Sequence, residues 1–77
     1  MQVRFFAGAA EAAGGDSCDI DAEGLTLEAL REQLGEGDER LARVLEVSTF
    51  LADGEPIASG SLDGVTTLDV LPPFAGG

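Results

Sequence analysis

The 77-residue chain has no histidine, lysine or tyrosine, and its only cysteine is Cys18. Acid–base or nucleophilic work is left to carboxylates, hydroxyls, one thiol and arginines, and none of these forms a triad-like set. The chain is therefore not expected to be an enzyme. A lone cysteine excludes an intramolecular disulfide, and without histidine there is no thiolate–imidazole metal set. Cys18 fits a reducing compartment, and its place beside Ile20 reads as a small buried hydrophobe rather than a persulfide relay. Positive charge is scarce: four arginines (Arg4, Arg31, Arg40, Arg43) face fifteen acids, for a net charge of −11. That balance repels nucleic acid and anionic membrane and suits a basic protein surface, although acids also confer solubility or reflect the source environment. No signal peptide or long apolar run is apparent, so a soluble, cytoplasmic protein is expected.

With 44% hydrophobic residues, residues 1–77 suffice for one small domain. Val3 and Phe5 alternate with Gln2 and Arg4, which predicts a strand over residues 2–7. Phe6 breaks the alternation and falls on the face of Arg4. Either the next loop covers it, the reading the pattern prefers, or it is an apolar spot available to a partner. Residues 8–15 read as a small-residue loop with a helical turn through 11–13, followed by a short acidic edge strand over 17–21. Thr26 is a good N-cap, and Leu27, Leu30 and Leu34 form one apolar helix face that Gly35 and Gly37 end. A second helical stretch over 38–45 carries Leu41, Val44 and Leu45, with Glu39 and Arg43 spaced for an ion pair. Strands are predicted over 47–52, 55–58 (an edge, because of Pro56) and 66–71, with a hairpin turn at Asp53-Gly54. The order implies an α+β domain, one mixed sheet with a helix packed across one face.

The end of the chain is the most specific stretch: Leu71-Pro72-Pro73-Phe74-Ala75-Gly76-Gly77. Prolines cannot donate to a ladder, so strand pairing stops at Leu71 and residues 72–77 form a flexible tail. Extended, that tail reaches on the order of 15 Å. Gly77 offers an unhindered α-carboxylate, and Gly76 a narrow, permissive backbone behind it.

These residues, with Val3-Arg4-Phe5-Phe6-Ala7, Leu27-Glu28-Ala29-Leu30 and Leu62-Asp63-Gly64, resemble the MoaD/ThiS-like sulfur carriers, and most closely the small subunit of molybdopterin synthase. The resemblance implies a ubiquitin-like β-grasp and a cycle at Gly77. A partner adenylyltransferase similar to a ubiquitin-activating enzyme would consume ATP to adenylate the carboxylate. A sulfur donor would leave a thiocarboxylate there, and the large subunit of molybdopterin synthase would take the sulfur for a pterin precursor. No cofactor or metal would be bound by the chain itself. Gly76 and Ala75 would pass into the partner's active site, and Phe74 and Phe6 would contact the partner. The chain departs from the family at Val65, where an acid usually follows the Asp-Gly turn. It also runs about one residue longer before the prolines, which a bulge would absorb.

Other readings share parts of this pattern. Carriers for thiamine, cysteine or tRNA thiolation have the same Gly-Gly end, as does a ubiquitin-like modifier joined to lysines of other proteins. An acidic chain with Asp16-Ser17-Cys18 is also similar to acyl carrier proteins, which would carry phosphopantetheine on Ser17. The strand-like alternation after Ser17 speaks against that remote alternative, since the carrier serine opens a helix.

Overall fold

Period-two alternation builds a five-stranded sheet whose inner face carries three helices. The computed structural model describes residues 1–73. In chain order the elements are β1 (Gln2–Phe5), α1 (Gly8–Ala13), β2 (Ser17–Asp19), α2 (Leu27–Gly35), α3 (Glu39–Val47), β3 (Thr49–Ala52), β4 (Glu55–Ile57) and β5 (Thr67–Leu71). The strand order is β2-β1-β5-β3-β4. β1 and β5 are parallel at the centre, and the other pairs are antiparallel. The acidic strand β2 and the proline-bearing strand β4 lie at the two edges, as their residues predict.

The inner face is made by Val3 and Phe5 of β1, Leu68 and Val70 of β5 and Phe50 of β3, all buried, with Leu27, Leu30, Leu41 and Leu45 of α2 and α3 against them. Both longer helices start on side-chain caps. Thr26 Oγ1 accepts from the Ala29 N–H at 3.1 Å, and Asp38 Oδ1 from the Leu41 N–H at 3.0 Å. The hairpin turn is as predicted: Asp53 and Gly54 both have positive φ, 49° and 84°. The Asp53 carboxylate also accepts from the N–H groups of Thr66 and Thr67, which ties the hairpin to the start of β5.

Several expectations are corrected. The small-residue segment after β1 is helix α1, not a loop with one turn, because Ala9 is fully buried in the core. Gly35 is the last residue of α2 and not merely its stop. A Cβ there would stand 2.8 Å from Ala42 Cβ of α3, so the glycine permits close approach of the two helices. Leu62, in the stretch read as turns, is fully buried. Among the described residues Glu39 and Arg43 form no ion pair; the one salt bridge joins Arg4 to Asp69. No bulge interrupts β5, whose register is continuous with both neighbours. Ahead of the strand, the Val65 N–H donates to Leu62 O at 3.0 Å.

The loop holding Leu62 wraps the first turn of α2. Leu27 N–H donates to Gly60 O, Leu62 N–H to Leu25 O, Gly24 N–H to Asp63, and Gly60 N–H to Glu28. The hydrogen bonds from Gly60 and from its own backbone N–H hold the Glu28 carboxyl below its ordinary value of 4.5. A depressed carboxylate stabilises the fold above its unfolded pKa, and that contribution is lost as pH falls through the folded value. Stability is therefore expected to fall as pH drops below about 4.5, and Glu28→Gln to show a shallower fall when denaturation midpoints are compared across that range.

Candidate functional site

The parallel pairing of β1 with β5 decides what stands where the tail leaves the sheet. Parallel strands end on the same side, so the register sets Phe6, just past β1, level with Leu71, the residue before Pro72. The last β1–β5 pair is Phe5 with Val70, and the Phe6 N–H donates to Val70 O at 3.2 Å. The chain then turns at Ala7, whose φ of 49° and ψ of −125° are strained for a residue with a side chain. That turn carries it into α1 and the core, away from the open face. Phe6 is left 39% exposed. The following loop does not cover it, contrary to the preference drawn from the sequence pattern.

Alternation places a cross-strand row on the open face: Ser17 of β2, Arg4 of β1, Asp69 of β5, Leu51 of β3 and Pro56 of β4. At its centre Arg4 forms a two-pronged bond with Asp69, Nε to Oδ1 at 2.6 Å and Nη2 to Oδ2 at 2.9 Å. The fork holds the Arg4 proton more firmly than usual, through hydrogen bonding first and charge second. The same guanidinium lies 5.8 Å from the centroid of the Phe6 ring. Leu71 is half-buried, one position beyond Val70 and on the opposite face from it. The open face by the tail thus presents an aromatic and an aliphatic group next to a fixed ion pair, in a chain with little other positive charge.

Of the predicted site residues, Phe6 lies exposed just past the end of β1. Phe74, Ala75, Gly76 and Gly77 lie outside the described residues. Arg4 and Asp69 were not singled out from the sequence. Each occupies the polar side of an alternating strand, but only the adjacency of β1 and β5 reveals that they meet. Cys18 is half-buried against the core, and burial, with the neighbouring Asp19 carboxylate second, pushes its thiol up. A thiol kept protonated is a poor nucleophile, which weighs against a relay role. Ser17 sits in strand β2 rather than at a helix start, so the acyl-carrier reading lacks its structural context. Among the described residues no group of three or more acidic or thiol side chains could hold a metal ion, and no helix is long and apolar enough to cross a membrane.

Residues 3–77 match the ThiS family. The chain belongs to the ThiS family. The crystal structure of SAMP1 from Haloferax volcanii is similar to it, with a TM-score of 0.72 and 26% identity over 99% of this chain and 97% of that one. No curated protein matches. The mixed five-stranded sheet with its helices is thereby the ubiquitin-like β-grasp. ThiS-family proteins are ubiquitin-fold sulfur carriers or protein modifiers, generally non-catalytic. They work with an activating enzyme of the ubiquitin-activating type and a sulfur-transfer partner.

Proposed function

We infer that this ThiS-family chain carries sulfur on Gly77 for molybdenum cofactor biosynthesis. A carboxylate oxygen of Gly77 attacks the α-phosphorus of ATP in an adenylyltransferase partner, and pyrophosphate leaves. Sulfur from a donor, at the sulfide level, displaces AMP and leaves a thiocarboxylate. The large subunit of molybdopterin synthase then takes that sulfur for a pterin precursor, and water restores the carboxylate oxygen. Adenylation is needed because a carboxylate is a poor electrophile, and glycine presents the least hindered one. Gly76 and Ala75 thread the partner's channel, while Phe74 and Phe6 anchor the contact, as aromatics buried at interfaces often do. The chain holds no cofactor of its own, and ATP is consumed by the partner.

The observation that carries this reading is the common exit of β1 and β5, which puts exposed Phe6 beside the start of the proline-led tail. The Phe5-Phe6 opening and the Pro72-Pro73 pair support the molybdopterin branch over the thiamine one. Intact mass of the protein co-expressed with the activating enzyme tests it. A sulfur-for-oxygen exchange at the terminus is expected, and delivery of that sulfur to a pterin when the large subunit is added. An unchanged mass in the presence of active enzyme and ATP would refute carriage. A second reading, a ubiquitin-like modifier, uses the same activated end, and the fold shared with SAMP1 suits it equally well. Stable higher-mass conjugates on other proteins' lysines would select it.

A further inference from the structure

We propose that the Arg4–Asp69 pair is a positioning device that holds Phe6 in place as a pre-set anchor for the activating partner. The inference rests on the partner contact assigned to Phe6 above.

The argument starts from what the pair does not do. It is the one salt bridge among the described residues, and the Arg4 side chain is 47% exposed. Exposed pairs contribute little to stability, because water screens them and two side chains lose freedom. Yet this one has both prongs made, in register, across the two central strands. Arg4 is also the one arginine on the open face, since Arg31 belongs to α2 and Arg40 and Arg43 to α3. With both prongs on Asp69, the guanidinium plane is fixed. That plane approaches the Phe6 ring from the side of the ion pair, at a distance suited to attraction between a cation and an aromatic ring. After the turn at Ala7, Phe6 stays 39% exposed. Phe6 is therefore both exposed and supported, at the end of the sheet from which the tail leaves. An anchor ordered before contact loses less freedom on binding, and affinity rises accordingly.

A double-mutant cycle tests this, with the purified adenylyltransferase of the ubiquitin-activating type from the same genome as probe. Asp69→Asn is expected to weaken binding about 3–10-fold, the cost of re-ordering one or two side chains. In a Phe6→Ala background the same change is expected to weaken it less than about 2-fold, because Asp69 acts through Phe6. Arg4→Lys, which keeps the charge but loses the planar fork, is expected to behave like Asp69→Asn and guards against a misfolded variant. In the free protein the Phe6 ring-proton shifts are expected to move toward averaged values in Asp69→Asn. Additive effects of Asp69→Asn and Phe6→Ala would overturn the positioning role alone, since they would mean that Asp69 or Arg4 meets the partner directly. Unchanged affinity in Phe6→Ala itself would instead remove the partner contact on which the inference rests.

Discussion

A chain lacking Gly77 is expected to fold as the full chain does and to accept no sulfur. The first half follows from where the core ends. Val70 is the last residue of the buried cluster, and Leu71 the last with a ladder partner, opposite Thr49. Among the described residues the buried cluster and the ladder are complete by Leu71, so the thermal midpoint is expected to change by no more than about 1 °C. The second half follows from reach. Removing one residue withdraws the carboxylate by about 3.5 Å, and a misplacement of even 1 Å costs on the order of 100-fold where reacting atoms must be aligned. Adenylation is thus expected to fall by about 100-fold or more, as measured by ATP–pyrophosphate exchange with the activating enzyme. A truncated chain that still exchanges pyrophosphate at the full rate would end the assignment of Gly77.

Leu62→Ala is expected to damage the fold as much as truncation of a helix or strand leucine. The side chain is fully buried although its backbone belongs to a loop. Truncating a buried leucine costs about 2–5 kcal/mol, through lost transfer energy and the cavity left behind. A 77-residue domain has total stability of roughly 4–12 kcal/mol, so a large part of the margin is lost. In a domain of this size the midpoint is expected to drop by about 10–30 °C. Collapse of the loop into the space is hindered, because Leu62 N–H is tied to Leu25 O, just ahead of α2, and Gly60 to Leu27 and Glu28 in its first turn. Calorimetry decides the matter: a drop below about 4 °C would show that the loop relaxes into the cavity.

Leu62 also shows where sequence reasoning stops. It lies between Ser59 and Gly64 without periodicity on either side, and burial of an isolated apolar residue depends on a contact with a helix more than thirty residues earlier. The helix α2, by contrast, was legible through Thr26 and the leucine spacing, since both signals are local. Strand β5 was legible for the same reason, with Leu68 and Val70 on one face. The alanines and glycines of helix α1 look like loop in the sequence, and only the burial of Ala9 in the core shows the helix. Gly35 was read as a stop because a sequence does not show how near Ala42 comes. At the site, Phe6 was identified through a broken alternation, but its exposure depends on the turn at Ala7. The ion pair supporting it needed the parallel β1–β5 pairing, which joins residues 65 positions apart. Local pattern names the chemical groups, and topology decides which of them meet.

The central position of β5 has a further consequence for the protein's synthesis. Until β5 is made, β1 and β2 can form one hairpin and β3 and β4 another, with no strand to join them. Pairings across so long a stretch of chain form late and slowly. The sheet therefore closes only when the segment leading directly into the tail has emerged from the ribosome. A chain cut short before β5 thus presents two separate hairpins in place of one assembled sheet.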